Sequence, residues 1–247
     1  MNPYYESDRA VAEYLLFHYG EDAAVMPWPA GPKDALQFPV RTVTTGLGGY
    51  SGPNRRALDA GCAVGRSAFE LARTFAEVVG SDLSRRFIGA AETLRREGEL
   101  AYALVETGDV TSTAVARRPA GVDAGGVRFE VADALELPAG FGDFDVVHAA
   151  NLLDRVPAPR RLLAGLAGRV RPGGRLILTS PYTWLEEYTP PSEWLSAAGR
   201  ATYALIGEAL GPGFRLAART DLPFVIREHA RKFQWSVAEL TVWDRLP

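Results

Sequence analysis

Residues 56–98 read as strand, small-residue turn, helix, strand, helix, and this alternation constrains the chain more than any other feature. The segment RALDAGC is a short apolar strand that ends at Asp59 and Gly61, and GRSAFELARTF follows with helical spacing of Phe69, Leu71, Ala72 and Phe75. EVVGSD is a second strand and SRRFIGAAETLRREG a second helix. Strands that alternate with helices close into a parallel sheet covered on both faces. Further strands are expected at VRFEVAD, FDVVHAA and GRLILTS, with the helix PRRLLAGLAGRV between the last two. A helix near 199–210 leads to the closing pair FRLAAR and VAELTVW. LAYALVETGDVTSTAVARRP breaks the pattern, because it alternates around a Gly-Asp turn; it predicts a β-hairpin inserted over 99–120. Ahead of the core, Val11, Leu15 and Leu16 predict an amphipathic helix over 7–19 capped by Ser7, followed by breaks rich in Pro and Gly. The expectation is one α/β domain over 1–247, with 1–55 as an N-terminal helical lid and 56–247 as the core.

The turn LDAGCAVGR decides what such a core binds. A dinucleotide site wants Gly-x-Gly-x-x-Gly, and the register from Gly61 places Arg66 where close helix–strand packing needs a small residue. The lysine of a phosphate-binding loop is absent as well. S-adenosylmethionine (SAM) has no phosphate, and its usual loop resembles Asp-x-Gly-x-Gly-x-Gly. Here that pattern reads Asp59, Gly61, Ala63 and Gly65, with Ala63 in place of the middle glycine and Cys62 as a small packing residue. Asp82 ends the second strand, where a carboxylate can accept both ribose hydroxyls, with Leu83 beside it. Asp133 and Ala134 follow the third parallel strand, at the height of the adenine amino group, and Asn151 follows the fourth. Glycine loop and strand-end residues together make SAM the expected cofactor and S-adenosylhomocysteine (SAH) the product. The chain thus resembles the class I SAM-dependent methyltransferases over 56–247. That resemblance implies a Rossmann-like, seven-stranded, mostly parallel sheet whose last strand runs antiparallel.

Composition removes other classes. Lys+Arg is 27 and Asp+Glu 30, so the net charge is −3, and a nucleic-acid partner is not expected without a clustered basic surface. The single Cys excludes an intramolecular disulfide, and three scattered His leave no metal-ligand spacing. No apolar run approaches the roughly 20 residues of a membrane span, and MNPYYESDRA is not a signal peptide; a cytoplasmic protein without a membrane partner is expected.

The acceptor site of an open α/β sheet lies at the carboxyl ends of its strands. The loops 151–157, 181–189 and 221–235 are its candidates, with the N-terminal helix closing over them. The Asn/Asp-Pro-Pro-aromatic signature of enzymes that methylate nucleic-acid amines is replaced after the fourth strand by Ala-Asn151-Leu152-Leu153-Asp154, so a small-molecule acceptor is favoured. The segments PYYESDRAVAEYLLFHYG, FPVR, LDAGCAVGRSAFELAR, NLLDRVP, TSPYTWLEE and DLPFVIREHARKFQW together resemble the methyltransferase family of ovothiol biosynthesis. In that family the unit is often the C-terminal domain of a sulfoxide synthase; here it is expected to stand alone, with such a synthase as an upstream partner. The resemblance implies a 5-thiohistidine acceptor methylated on a ring nitrogen, and a selenium analogue has nearly the same shape. A zwitterionic amino acid calls for Arg155, Arg227 or Arg231 at its carboxylate and for Asp154, Glu186 or Glu228 at its ammonium. Asn151, Tyr182 and His18 are candidates to orient the ring, and Arg41 to reach the cofactor's carboxylate from the lid. His148, inside a strand, is expected to be a satisfied core histidine. A methyltransferase for another small acceptor (thiol, hydroxyl or carboxylate) and a non-catalytic SAM-binding partner of a synthase remain the alternatives.

Overall fold

The computed structural model describes residues 3–247. The N-terminal region forms α1 (Asp8–Tyr19), α2 (Asp22–Val25) and α3 (Phe38–Gly46). The core begins with β1 (Arg56–Ala60), α4 (Arg66–Leu71), β2 (Glu77–Asp82) and α5 (Arg85–Glu97). The inserted hairpin is β3 (Glu99–Thr107) and β4 (Val110–Arg117). Then follow β5 (Val127–Val131), β6 (Phe144–Ala150), α6 (Pro159–Arg169), β7 (Val170–Ser180), α7 (Thr202–Leu210), β8 (Phe214–His229) and β9 (Lys232–Arg245). Seven strands form one sheet in the order β5-β2-β1-β6-β7-β9-β8, with β9 antiparallel to both neighbours; β3 and β4 form a separate ribbon. This is the class I methyltransferase fold.

Successive side chains on a strand face opposite sides, and that period builds two cores. Ala57, Val78, Val146 and Ile177 face the layer of α1, α3, α4 and α5, where they meet Phe38, Phe69 and Phe87. Leu58, Val79, Val147 and Leu176 face the other side, against Leu163 and Leu166 of α6 and Ile206 of α7. Helix starts are set as the residues suggest: Ser7 Oγ accepts the Ala10 amide at 3.1 Å, and Ser84 Oγ accepts that of Phe87 at 3.1 Å.

The largest departure from the sequence reading is 221–235. That segment is not a loop. It belongs to a ribbon in which β8 and β9 pair from Phe214↔Arg245 to His229↔Lys232. Asp221 lies opposite Glu239, which also pairs with the last residue of β7, Ser180. Residues 222–229 therefore run on past the sheet edge for roughly 26 Å at about 3.3 Å per residue. Pro223 reads as a strand breaker, but it sits on the outer strand, where its missing donor is tolerated.

The overhanging ribbon is a scaffold for the lid, and Arg227 is its clamp. The guanidinium is buried; Nη2 donates to Glu106 of β3 at 2.7 Å and Nη1 to the Ala24 carbonyl of α2 at 2.6 Å. Trp28 Nε1 donates to the Ala230 carbonyl at 3.0 Å, and the Ala230 amide to the Glu106 carbonyl at 3.2 Å. Arg41 of α3 joins the same system, with Nε on the Leu36 carbonyl at 2.8 Å and Nη2 on the Pro223 carbonyl. Arg227→Ala is expected to destabilise the protein by about 1–3 kcal/mol, because charge-assisted bonds at a buried site are lost. Urea unfolding measures this, and Glu106→Gln should add little to it because both changes break one interaction. A variant as stable as the wild type would show that the clamp contributes nothing.

Candidate active site

The carboxyl ends of β1, β2, β5 and β6 open into one crevice of about 810 Å³, within the roughly 300–1,000 Å³ usual for small-molecule sites. Its floor is the turn between β1 and α4, where the chain takes left-handed backbone at Gly61 (φ 73°), Ala63 (φ 46°) and Gly65 (φ 87°). Ala63 has the Cβ that makes this conformation costly, by about 1–2 kcal/mol. Its amide donates to Asp82 Oδ2 at 3.0 Å, which offsets the strain. Gly65 supports the turn from behind: a Cβ there would stand 2.6 Å from the Phe129 ring.

Asp82 also accepts the Ser84 amide on Oδ1 at 2.8 Å, so its carboxylate is fixed at the mouth of β2. Burial pushes its pKa up to about 6 against the two backbone bonds that favour the charge. Asp59 is buried beneath the turn; His148 Nδ1 lies 2.7 Å from Oδ1, and His148 Nε2 lies 3.0 Å from Thr42 Oγ1 of α3. The other oxygen, Asp59 Oδ2, is buried without a partner and belongs to the crevice lining, where it fits a cofactor's ammonium. Asp133 Oδ1 accepts the Leu135 amide at 2.8 Å in the turn after β5. Asn151 takes a left-handed conformation (φ 51°) that Asn tolerates. Its amide donates to the Thr179 carbonyl at 2.8 Å, and its Oδ1 accepts from Thr179 Oγ1 at 3.0 Å.

Of the expected cofactor residues, Asp59, Gly61, Cys62, Ala63, Asp82, Leu83, Asp133, Ala134 and Asn151 all line the crevice. Gly65 acts one layer behind it, and Arg41 is held on backbone carbonyls outside it. The buried Cys62 thiol is pushed well up by burial and so stays protonated, as befits a packing residue.

The expected acceptor residues divide. His18 and Arg155 line the crevice. Asp154 is fully buried beside it, accepting Ser180 Oγ at 2.9 Å, the Thr183 amide at 3.1 Å and Arg155 Nη1 at 2.7 Å, and it ties the loops after β6 and β7 together. Tyr182 donates its hydroxyl to Glu239 at 2.6 Å, away from the crevice. Glu228 pairs with Lys232 and Gln234 on the ribbon, Arg231 stacks on Trp28, and Glu186 is exposed. Arg227 is the clamp described above; its neighbour Ile226 lines the crevice instead. The structure thus places Arg227, Arg231, Glu228 and Glu186, expected to bind the substrate, and Asp154 and Tyr182, expected to act in catalysis, outside the crevice lining.

The sequence reading missed the aromatic wall. Tyr5, Tyr14, Phe17, Phe87 and Tyr188 line the crevice together with the glycine turn. Tyr14 packs on Phe87 with centroids 4.7 Å apart and meets Tyr5 edge-on at 6.2 Å. Tyr5 is hydrogen-bonded to Tyr188 of the loop after β7, and Arg155 lies over the Tyr188 ring at 5.1 Å. The only signal was the spacing of Tyr14, Phe17 and His18 on one face of α1.

Fold and crevice together have the layout of the class I SAM-dependent methyltransferases: an open α/β sheet with a glycine turn, a carboxylate at the end of the second strand and a crevice walled in part by the N-terminal helices. Residues 58–178 match the family model described as methyltransferase domain. The ubiquinone biosynthesis O-methyltransferase of Alkalilimnicola ehrlichii is 30% identical over 167 residues, covering 64% of this chain and 56% of that protein. The chain spans about half the length of the curated relatives it matches. Among solved structures, magnesium protoporphyrin IX methyltransferase from Synechocystis PCC 6803 with bound SAH has a TM-score of 0.55 at 20% identity, over 98% of this chain and 96% of that one. The N-methyltransferase NodS from Bradyrhizobium japonicum WM9 with bound SAH has a TM-score of 0.55 at 17% identity, over 95% and 98%. Among the described residues, no helix is long and apolar enough to cross a membrane.

If ionised Asp82 accepts the ribose hydroxyls, SAH affinity should be level above about pH 6 and fall about tenfold per unit below it. Asp82→Asn should weaken binding roughly 10- to 150-fold and remove the pH dependence. Calorimetry between about pH 5 and about pH 8 tests both, and a wild-type affinity flat across that range would separate Asp82 from the ribose.

Proposed function

We propose that this protein transfers the methyl group of SAM to a ring nitrogen of a small histidine-derived acceptor, 5-thiohistidine or its selenium analogue 5-selenohistidine. The observation that carries this reading is the second half of the crevice: aromatic walls from Tyr5, Tyr14, Phe17 and Tyr188, with Arg155 as the cation among the lining residues. A flat ring with a carboxylate suits that chamber. The side-chain hydrogen bonds of Arg155 to the described residues run through Nη1, to the Asp154 carbonyl, Asp154 Oδ2 and the Thr183 carbonyl. The rest of its guanidinium fork is available for a carboxylate.

Bound SAM supplies an electrophilic methyl on a sulfonium. The chain's task is to hold a nucleophile in line at about 3–3.5 Å and to keep water out. Asp59, Asp82 and Asp133 would grip the ammonium, ribose and adenine, and Asn151 lines the same crevice. An imidazole nitrogen attacks with its own lone pair and needs no strong base. A hydroxyl acceptor does need one, and the crevice's histidine is poorly suited: burial holds the His18 pKa down to about 3. This favours a nitrogen acceptor over the O-methylation named for several curated relatives. The acceptor would come from an enzyme that installs the chalcogen on histidine, such as a sulfoxide synthase, in the cytoplasm.

The test is turnover of SAM with histidine, 5-thiohistidine and 5-selenohistidine, followed by mass spectrometry, with the methyl position located by NMR. Ring N-methylation of a chalcogen-bearing acceptor, with little on histidine itself, is expected. Binding of SAM with no turnover of any imidazole, or preferential methylation of a phenol, would overturn the acceptor assignment.

A further inference from the structure

His18 sits in the last turn of α1, is 9% exposed and lines the crevice. Its Nδ1 is buried with no hydrogen-bond partner among the described residues. Such an orphan costs about 1–3 kcal/mol unless something completes it. Its neighbours on the helix, Tyr14 and Phe17, present rings at 5.8 and 5.4 Å and do not supply the missing bond.

The end of α1 is fastened to the glycine turn: Tyr19, next to His18, donates its hydroxyl to the Val64 carbonyl at 2.7 Å. Arg66, at the start of α4, adds positive potential at the His18 ring, and with burial this keeps the ring neutral. His18 is therefore a neutral imidazole above the turn, on the side of positive potential. A cofactor held by Asp82 at its ribose runs toward the same turn with its amino-acid end. Asp59 Oδ2, another orphaned polar atom, matches the ammonium of that end; the carboxylate still needs a donor. Arg41, the lid cation expected in that role, is held on the Leu36 and Pro223 carbonyls.

We propose that His18 donates a hydrogen bond to the cofactor's α-carboxylate, as a positioning residue that seats the lid helix on the bound cofactor. This rests on the SAM reading of the crevice and reassigns His18 from the acceptor to the cofactor. Because α1 also carries Tyr14 and Phe17 of the aromatic wall, the same bond would tie the bound cofactor to the helix that lines the acceptor side.

Calorimetry with two probes tests it: SAH, which has the amino-acid end, and 5′-methylthioadenosine, which lacks it. His18→Phe should weaken SAH roughly 10- to 150-fold, the loss of a hydrogen bond to a charged group, and leave methylthioadenosine within about twofold. His18→Gln, which keeps a donor, should recover part of the loss. Equal loss of both probes, or loss of the wild-type melting transition in both variants, would reduce His18 to a structural residue. Unchanged SAH affinity with a raised acceptor KM would return it to the acceptor site. Either result overturns the assignment. A wild-type protein that binds neither probe would instead overturn the SAM reading itself, which the variants alone do not address.

Discussion

The hydrogen bond from the Ala63 amide to the Asp82 carboxylate, 3.0 Å long, sets the spacing of the crevice. It joins the turn after β1 to the end of β2, two parts of the crevice floor. It also explains how a turn of this type functions with alanine at its middle position. Left-handed alanine is strained, and a charged acceptor aimed at its own amide is a direct remedy. The same carboxylate then has lone pairs left for a ligand, since each oxygen accepts only one backbone donor. The cost appears in its titration: a carboxylate held this deep has its pKa raised to about 6.

Left-handed residues recur along this edge of the sheet, with Gly61 after β1, Asn151 after β6 and Tyr182 after β7. Each turns the chain sharply as the strand ends, and the first two line the crevice. Strain of this kind persists only where neighbours over-determine it. For Asn151 the neighbour is Thr179, which bonds both its backbone and its side chain. For Tyr182 it is Ser180 Oγ, which accepts the Tyr182 amide at 3.0 Å, while Asp154 accepts from Ser180 in turn. Asp154 is thus a buried charge satisfied by three donors, and it sets the geometry of two loops without reaching the crevice.

The βαβ core was legible because its signals are local: apolar strands, helical spacing and small residues at the turn all lie within residues 56–98. The strand-end acids Asp59, Asp82 and Asp133 could be placed because the parallel fold itself puts successive strand ends on one edge. The acceptor side was less legible. Arg227 and Arg41 are polar residues in segments that read as loops, so an exposed ligand-binding role was the natural expectation. In the structure the β8–β9 ribbon overhangs the sheet, and the inserted hairpin and α2 fold down on it, so Arg227 is buried and paired. That depends on contacts between residues 24, 106 and 227, which no local pattern encodes. The aromatic wall was hidden for the opposite reason. Tyr14 and Phe17 lie on the apolar face of a helix, where core packing is the ordinary expectation, and only the position of α1 above the turn makes them a lining.

The charge balance of the crevice bears on how such a site turns over. Asp59, Asp82, Asp133 and Glu187 line it, against Arg155. An acidic, partly desolvated crevice attracts a cation more strongly than bulk water would. The sulfonium cofactor carries one more positive charge than its demethylated product, so on the proposed reading the same wall would favour SAM over SAH. The wall does not by itself accelerate the transfer. In the proposed transfer the positive charge would move from sulfur to the acceptor ring, and a carboxylate near the sulfur would hold it back. On the proposed reading Asp59, Asp82 and Asp133 serve the ammonium, ribose and adenine, while neutral Asn151 and the aromatic side chains of Tyr14 and Phe17 line the same crevice. Aromatic faces attract a positive charge spread over a ring without fixing it at one atom. On that reading binding falls to fixed negative charge, and transfer to alignment against neutral side chains.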